Sequence, residues 1–331
     1  MASYILPMCA SVLSGLLLIS ANASATTTSK ESISLLFVGD TVLDGRPGKE
    51  IEHGKDPFLA FATLFNNADI RVANLECVVA TSGHAADKNF TFRGHPRTLN
   101  VLKRHIDAVS IANNHSGDFG RDAFVEMLEL LDQHKISHFG GGRNLQEAHN
   151  PLIIERKGLR IALLGYNEFM PRSFEADANA AGVAWSEDEQ VVADIRYARD
   201  IVKADIVIPY MHWGWENETI AGNRQRQLAR KMIDAGADAV VGSHPHVVQD
   251  VEQYRGKPII YSIGNFMMDA LDNEAQTKGW LLRLELTREG VKSWTTNAVK
   301  ITQDGVPTTI VNERMPCWQQ GSEQIGLCTN Q

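Results

Sequence analysis

The feature that most constrains this chain is a regular alternation of short apolar runs with segments of helical periodicity. Each run is rich in β-branched or aliphatic residues and ends in glycine or polar residues. The segments between the runs have helical spacing, and in residues 122–134 the apolar residues Phe124, Met127, Leu128 and Leu131 stand at i, i+3, i+4 and i+7, which marks one face of a helix. Strands separated by helices of this length predict βαβ units and largely parallel sheets that are covered on both faces. The predicted strands span residues 33–38, 70–75, 108–112, 161–164, 206–211, 239–241 and 259–263, and the predicted helices span residues 57–65, 98–105, 122–134, 190–202 and 226–235.

The pattern changes after Trp280. Residues 281–286 and 291–301 have strand character and are separated by a turn at Arg288-Glu289-Gly290, which predicts an antiparallel hairpin. We find no internal repeat and no low-complexity linker in the sequence. We therefore expect one α/β domain over residues 30–302, followed by a tail over residues 303–331.

The start of the chain carries no charged side chain before Lys30. Residues 5–20 are mostly apolar but fall short of the about 20 apolar residues that a membrane-spanning helix needs. They fit the hydrophobic region of a signal peptide, with a small-x-small cleavage sequence at Ala23-Ser24-Ala25. The sequence therefore predicts a signal peptide over residues 1–25 and an exported protein, periplasmic or extracellular. Because no Lys or Arg precedes the apolar stretch, a retained membrane anchor and a misassigned start are the alternatives.

The cysteines agree with export. Cys317 and Cys328 lie close together near the C-terminus, and in an oxidising compartment such a pair can form a disulfide that staples the tail. Cys77 lies in an apolar run and is predicted to be a buried core residue.

Charge and composition exclude several classes of protein. Lys plus Arg number 32 and Asp plus Glu number 40, which gives a net charge of −8. Nucleic-acid binders carry a basic surplus, so we expect no nucleic-acid partner. With 44% hydrophobic and 22% charged residues, the chain is typical of a globular protein and not of a disordered one.

Side chains with metal-binding chemistry stand at the carboxyl ends of the predicted strands, where ligands bind in open α/β sheets. Parallel strands bring these ends to one edge of a sheet, although the residues are far apart in the chain. Carboxylate, amide and imidazole groups together suit a borderline divalent ion such as Zn²⁺, Mn²⁺ or Fe²⁺. Each residue alone has a simpler interpretation, a helix cap for an aspartate or a satisfied polar group for a histidine. Their joint occurrence favours a metal centre, and the candidates are Asp40, Glu76, Asn114, His115, His212, His244 and His246.

The sequence His244-Pro245-His246 carries the most specific part of this argument. In an extended segment, residues i and i+2 point to the same side, so both imidazoles would face the same way. Pro245 stiffens the backbone between them.

Other residues are candidates for holding a substrate. Arg143 follows a run of glycines whose backbone a ligand can approach closely, and Arg93 lies in a short aromatic segment. For both arginines a surface ion pair is the alternative. Trp213, Trp215 and Glu216 follow His212 and are expected to line the pocket. A carboxylate commonly orients a metal-bound histidine, and Glu216 or Asp250 could do so here.

Six short motifs occur in order between about residues 33 and 270. They are Gly39-Asp40, Asn74-Leu75-Glu76, Asn113-Asn114-His115, His212-Trp213-Gly214, Gly242-Ser243-His244-Pro245-His246-Val247 and Tyr261-Ser262-Ile263-Gly264-Asn265-Phe266. As a set they resemble the motifs of the CapA family, the poly-γ-glutamate capsule synthesis proteins, whose fold is of the calcineurin-like metallophosphoesterase type. The resemblance implies a metallo-dependent phosphatase-like fold, a layered α-β-β-α sandwich of mixed, largely parallel sheets with a C-terminal antiparallel hairpin.

The resemblance also implies a role for each motif residue. Asp40 and His246 would hold one metal ion, and Glu76 would bridge to a second. The second ion would be held by Asn114, His212 and His244. The histidine after the asparagine, His115, is the usual general acid or transition-state stabiliser. Substrate contacts are expected from Arg93, Arg143, Glu216 and Asn265.

Two positions depart from the larger metallophosphoesterase pattern. That pattern begins Asp-x-His, whereas Val42 stands where the histidine would ligate. Its second motif usually supplies an aspartate, whereas this chain has Glu76. The first metal site therefore lacks a nitrogen ligand, and we expect one or two divalent ions, Mn, Zn or Fe.

The sequence thus supports an exported metal-dependent hydrolase-like protein of poly-γ-glutamate biosynthesis that cleaves a phosphoester or an amide. Its expected partners are poly-γ-glutamate or a related anionic polymer, or a small phosphoester, and membrane-bound polymer synthase subunits. One alternative is a non-catalytic, metal-containing assembly or binding subunit of the polymer machinery. Another is a periplasmic phosphodiesterase unrelated to capsule.

Overall fold

The computed structural model describes residues 1–4 and 32–329. The predicted signal peptide therefore falls largely outside the described residues. In the described part, no helix is long and apolar enough to cross a membrane. The strands there are β1 (Ile33–Thr41), β2 (Ile70–Leu75), β3 (Val78–Val79), β4 (Arg93–Gly94), β5 (Ala108–Ser110), β6 (Ser137–Phe139), β7 (Gly141–Gly142), β8 (Leu152–Arg156), β9 (Leu159–Asn167), β10 (Gly182–Val183), β11 (Ile206–His212), β12 (Val240–Ser243), β13 (Val251–Tyr254), β14 (Lys257–Ile260), β15 (Asn265–Met267), β16 (Lys278–Thr287), β17 (Gly290–Ile301), β18 (Pro307–Thr309), β19 (Arg314–Gln319) and β20 (Gly326–Thr329).

The α-helices lie between the strands, as the alternation in the sequence predicts. A π-helical turn, Tyr197–Ile201, extends the sixth of them. The segment predicted as one helix over residues 57–65 is a 3₁₀ turn, Leu59–Phe61, followed by a short helix. The helices of the described residues are α1 (Gly45–Glu52), α2 (Ala62–Asn66), α3 (Leu99–His105), α4 (Gly120–His134), α5 (Leu145–His149), α6 (Asp188–Arg196) and α7 (Asn223–Ala235).

Two large mixed sheets form the centre of the fold. The first has the strand order β20-β19-β17-β16-β1-β2-β5-β6, in which β1, β2, β5 and β6 are parallel. The second has the order β13-β14-β12-β11-β9-β8, in which the four central strands are parallel and the two edge strands antiparallel. Neither edge strand is among the strands predicted from the sequence, since their residues are only partly buried.

The alternation of side chains along β1 shows how the layers are arranged. Leu35 and Phe37 pack between the two sheets, and the Phe37 ring stacks on Tyr210 of β11 with centroids 5.9 Å apart. The intervening Leu36 and Val38 face the other way, toward α3 and α4. On the far side of the second sheet, apolar residues of α6 and α7 cover β9 and β11. The result is four layers, helix, sheet, sheet and helix, and the predicted α-β-β-α sandwich is confirmed.

The C-terminal part of the chain extends the first sheet. The predicted hairpin is present as β16 and β17, paired antiparallel from Lys278 to Thr287. The tail, for which no strand was predicted, contains β18 and β19, which pair with β17, and β20, which pairs with β19. A disulfide joins Cys317 of β19 to Cys328 of β20, and Cys77 is buried and free.

Candidate metal centre

The parallel strands of both sheets end at one edge, and the candidate ligands follow those ends. Asp40 lies on β1, while Glu76 and Asn114 follow β2 and β5 of the first sheet. His212 ends β11, and His244 follows β12 of the second sheet. Side chains from the two sheets therefore meet in one buried cluster, to which His246 also belongs.

His212 lies at the centre of one group of donors. Its Nε2 atom is 2.7 Å from Asn114 Oδ1, 3.1 Å from His244 Nδ1 and 3.4 Å from Glu76 Oε1. Ligands of a tetrahedral ion with bonds of about 2.1 Å stand roughly 3.4 Å from one another. The spacing of these four side chains is close to that of a coordination shell.

His246 and Asp40 form a second group that shares Glu76. His246 Nδ1 is 3.4 Å from Asp40 Oδ2, and His246 Nε2 is 3.8 Å from Glu76 Oε1. Both oxygens of Asp40 also accept hydrogen bonds, one from the Asn74 amide at 2.8 Å and one from the His244 backbone N–H at 3.2 Å. Asp40 thus holds the cluster together as well as contributing a carboxylate.

Several buried polar atoms of the cluster have no hydrogen-bond partner among the described residues. These atoms are both carboxylate oxygens of Glu76 and the Nε2 atom of His244. Leaving such groups unpaired in the interior costs about 1–3 kcal/mol each, and more if they are charged. Ligand atoms of Glu76, His244 and His246 lie within 4.8 Å of one another. The carboxylate and imidazole donors therefore fit a divalent metal ion.

Burial and neighbouring charges also shift the pKa values of the cluster residues. Burial, together with the neighbouring imidazoles, depresses the pKa values of His212 and His244 well below the usual range, so both are neutral donors. Burial and the Asp40 charge raise the pKa of Glu76. Burial alone would lower the pKa of His246, but the charges of Glu76 and Asp40 raise it to about 10. Without a metal ion, Glu76 and His246 compete for a proton that an ion would displace.

The backbone around His244 and His246 differs from the sequence expectation. Both residues have positive φ, 97° for His244 and 58° for His246, so the segment is not extended. The two imidazoles converge because the chain bends through Pro245. Positive φ in residues with a Cβ costs about 1–3 kcal/mol and is typical of functional sites.

His115 lies beside this cluster and is held by partners that were not predicted from the sequence. Its Nδ1 atom is 2.8 Å from Asp118 Oδ2, and Asp118 is fully buried. Lys88 forms an ion pair with Asp118 and donates to the Asn114 carbonyl at 3.0 Å. The ring of Phe92 packs on His115 with centroids 4.5 Å apart. In the sequence, only the three-residue spacing between His115 and Asp118 could have indicated one of these partners.

Asn265 has a different place from the one expected. Its Oδ1 atom lies 2.9 Å from His246 Nδ1, and its Nδ2 donates to the carbonyls of His246 and Gln276. Because both ends of the amide are used within the protein, Asn265 orients His246, and the substrate contact expected from it stays a prediction. A second chain of amides does the same for Asp40, since Asn113 donates to Asn74, which donates to Asp40.

The mouth of the site is a small cavity of about 40 Å³. Glu216 lines it, as expected, together with His115 and His246. Its other walls are aromatic, apolar, acidic or neutral polar, and the described residues that line it include no Lys or Arg. These other lining residues are Phe90, Phe92, Met268, Ala270, Asp272 and Gln276.

Both candidate anion-binding arginines are engaged elsewhere. Arg143 lies 3.8 Å from Asp132 and 3.8 Å from Glu147, which is the surface ion pair considered as its alternative. The Arg93 guanidinium stacks 4.3 Å above the Phe119 ring and donates to the Ser82 carbonyl. Neither side chain lines the mouth cavity.

The aromatic residues after His212 also differ from expectation. Trp213 is buried in the core between the second sheet and its helices, and Trp215 is largely exposed. A residue that was not predicted from the sequence, Phe169, instead covers His244, with ring centroids 3.9 Å apart. Asp250 accepts from Arg226 and from the Ala221 backbone N–H, so its carboxylate is engaged away from the cluster histidines.

Comparison with known proteins places the chain among relatives of one kind. A family model described as "Bacterial capsule synthesis protein PGA_cap" matches residues 34–270. The PGA biosynthesis protein CapA of Bacillus subtilis is 33% identical over 249 residues, which are 73% of this chain and 65% of that protein. The capsule biosynthesis protein CapA of Bacillus anthracis is 30% identical over 249 residues, 72% of this chain and 60% of that protein. The chain thus spans less than two thirds of these relatives.

Solved structures give more distant matches. A hypothetical protein from Thermus thermophilus is 17% identical, with a TM-score of 0.46 over 87% of this chain and 99% of that one. The NAD nucleotidase of Haemophilus influenzae is 12% identical, with a TM-score of 0.46 over 85% of this chain and 54% of that one.

Proposed function

Because the chain belongs to the bacterial capsule synthesis family PGA_cap, we propose that it is an exported, metal-dependent hydrolase-like protein of poly-γ-glutamate biosynthesis. The bond that it cleaves is a phosphoester or an amide. It acts on the polymer or on a small precursor, beside membrane-bound polymer synthase subunits.

The observation that carries the proposal is the set of unpaired buried atoms on Glu76 and His244. A structural histidine–carboxylate cluster would satisfy these atoms internally, as Asp40 and Asn265 are satisfied. Instead, the unpaired Glu76 Oε1 lies 3.4 Å from His212 Nε2, which is also close to Asn114 Oδ1 and to the other ring nitrogen of His244, Nδ1. We assign Glu76, Asn114, His212 and His244 to a first ion, and Asp40 and His246, with Glu76, to a second where one binds.

The chemistry follows from the residues beside the cluster. When bound, a divalent ion supplies Lewis acidity and a water of lowered pKa. Asp118 can only accept from His115 Nδ1, which leaves His115 Nε2 as the proton acceptor. Burial lowers the pKa of His115 despite the Asp118 charge, so the ring is neutral before reaction. His115 would thus be placed to accept a proton at Nε2 and to return it to the leaving group, the general-acid role expected from the sequence.

A second candidate function is a non-catalytic subunit that keeps the metal for assembly or polymer binding. The observation that favours it is Val42, which is fully buried in the apolar core where metallophosphoesterases have a ligating histidine. The second ion would then have only Asp40, His246 and the shared Glu76. A weakly held second ion suits a structural role better than a two-metal reaction.

The test is a comparison of variants in the full chain. We expect His212→Ala to lose bound divalent metal, measured by elemental analysis after dialysis. We expect His115→Ala to retain the metal but to hydrolyse poly-γ-glutamate or bis(p-nitrophenyl) phosphate about 10²–10⁴-fold more slowly, because it removes the proton acceptor. His53→Ala, an exposed histidine at the end of α1, is the matched control and should resemble the wild type.

The outcomes separate the candidates. If only one of the two substrates is hydrolysed, that substrate identifies the bond that is cleaved. Metal binding without hydrolysis of either substrate supports the non-catalytic subunit. If the wild type binds no Mn²⁺, Zn²⁺ or Fe²⁺, both candidates are wrong.

A further inference from the structure

A second cavity lies away from the metal centre, on the helical layer of the second sheet. It has a volume of about 580 Å³, within the range of about 300–1,000 Å³ that drug-sized ligands occupy. Its walls come from α5, from α6 and from the loop at Ala178. A neighbouring cavity of about 490 Å³ shares Leu145, His149 and Gln190 with it, so the two form one elongated groove. None of the candidate metal ligands lines this groove.

The floor of the groove is a preorganised polar network. His149 Nδ1 is 2.7 Å from Asp194 Oδ2, and both residues are more than nine-tenths buried. Tyr166 donates to the same oxygen at 2.9 Å, and Gln190 donates to Asp194 Oδ1 at 2.7 Å. Asp194 therefore takes part in three hydrogen bonds and holds the His149 ring fixed. The Nε2 atom of His149 has no partner among the described residues, and this ring lines both cavities.

The rim of the groove carries unused amide groups. Asn144 caps α5 through its Oδ1 atom, which leaves its Nδ2 available. The side-chain amides of Gln146 and Asn150 are exposed and make no hydrogen bond within the described part of the chain. These planar groups can donate and accept in pairs.

An aromatic face completes the groove. Tyr197 is 47% exposed, lines the cavity and has no aromatic or cationic neighbour on its ring among the described residues. It begins the π-helical turn Tyr197–Ile201 that follows α6. Such turns are rare and occur frequently at functional sites.

We propose that this groove is a binding site for a neutral oligosaccharide. Adjacent hydroxyl groups of a sugar both donate and accept hydrogen bonds, which matches the amides of Asn144, Gln146 and Asn150 and the free nitrogen of His149. The apolar face of a sugar ring packs on an aromatic side chain, here Tyr197. An acidic polymer does not fit, because carboxylates, including Asp194 and Glu189, line the groove and no Lys or Arg does so among the described residues.

The experiment titrates the full chain with cellotriose and with tri-N-acetylchitotriose by isothermal titration calorimetry. We expect at least one of these neutral probes to bind, and Tyr197→Ala to weaken that binding about tenfold. Tyr197→Phe, which keeps the ring, should bind as the wild type does. Ile201→Ala is the matched control, since Ile201 is an exposed residue of the same π-helical turn that does not line the groove.

Three results would overturn this proposal. These are no binding of either sugar at millimolar concentration, binding that Tyr197→Ala does not change, or binding of poly-γ-glutamate oligomers that Tyr197→Ala abolishes. The groove shares no residue with the metal centre. The results with His115→Ala and His212→Ala therefore test the proposed function independently of the proposal for the groove.

Discussion

Asn265 hydrogen-bonds both to the backbone carbonyl of His246 and to its imidazole ring, a proposed metal ligand. It accepts from His246 Nδ1 and thereby leaves Nε2 of that ring facing Glu76. Partners of this kind fix the tautomer and orientation of a metal-binding histidine. Asn265 is thus a positioning residue, and its effect should appear in metal affinity before it appears in catalysis.

We expect Asn265→Ala to weaken metal binding by about 10–100-fold. It should also lower the free energy of unfolding by about 1–3 kcal/mol, because two buried carbonyls lose their donor. Asn265→Asp keeps the acceptor for His246 and should recover metal affinity without recovering all of the stability. Calorimetric metal titration and chemical denaturation measure the two effects. Asn100→Ala, on the exposed side of α3, is the matched control. Equal affinity in Asn265→Ala and wild type would show that Asn265 does not position His246.

At the scale of the element, the hairpin of β19 and β20 forms the edge of the first sheet, with β19 paired to β17. Every residue of β20 is exposed, and its pairing partner is β19 alone among the described strands. A strand with so little burial has little to hold it in place, apart from the disulfide between Cys317 and Cys328. The cross-link therefore maintains this edge.

We expect the double variant Cys317→Ser, Cys328→Ser to leave the fold and metal affinity unchanged but to release the hairpin. The two cysteines are 11 residues apart, and closing a loop of similar size, about 15 residues, is worth about 3 kcal/mol in the unfolded state. Amide hydrogen exchange over residues 314–329 should therefore be about 100-fold faster. Cys77 will not confuse the experiment, because burial raises its pKa to about 12. Unchanged exchange would mean that strand pairing alone holds β20.

The elements also show what the sequence could predict. Alternating periodicities locate the central strands, since burial on both faces leaves a strong apolar signal at positions such as 70–75 and 206–211. The edge strands are not fully buried and have weaker signals, since the apolar run of β8 is only Leu152-Ile153-Ile154 and β13 has none. The π-helical turn after α6 has the same apolar spacing as a helix, so the sequence could not distinguish it.

The sequence predicted the candidate site only in part, as it did the fold. Strand-end positions and the motif set indicate which residues meet, because parallel strands share an edge. The sequence does not indicate where a flexible side chain points. Arg93 and Arg143 turn to nearer partners, and Asn265 turns inward to His246. Lys88 and Phe169 reach the site from loops whose paths depend on the tertiary fold.

At the scale of the whole molecule, the cluster joins the two sheets. Glu76 and Asn114 follow strands of the first sheet, while His212 and His244 follow strands of the second. An ion held by these four side chains fastens one layer to the other at the edge of the core. Its binding energy is then also folding energy.

We therefore expect Mn²⁺ or Zn²⁺ to raise the melting temperature of the full chain, with a stabilisation of about 2.7 kcal/mol when the free ion is at 100 times its Kd. The gain should increase with pH. The pKa of His246, about 10 against an ordinary 6.5, means that its proton stabilises the metal-free protein below pH 6.5. That contribution is lost as the pH rises toward 10, while competition with the metal falls. Thermal unfolding with and without chelator, at pH 6.5 and about pH 9, measures the difference. A metal-induced shift that is the same at both pH values would contradict this coupling.

The division of the ligands between two sheets also sets the timing of metal uptake. A chain in which only the first sheet has formed has two of the four donors of the first ion, and so does a chain with only the second. Neither half offers the complete set of proposed ligands, so an ion held by them would enter only after the two layers have met. If the protein is exported as proposed, the identity of the metal would be decided by the ions available in the compartment where folding finishes, and not in the one where the chain is made.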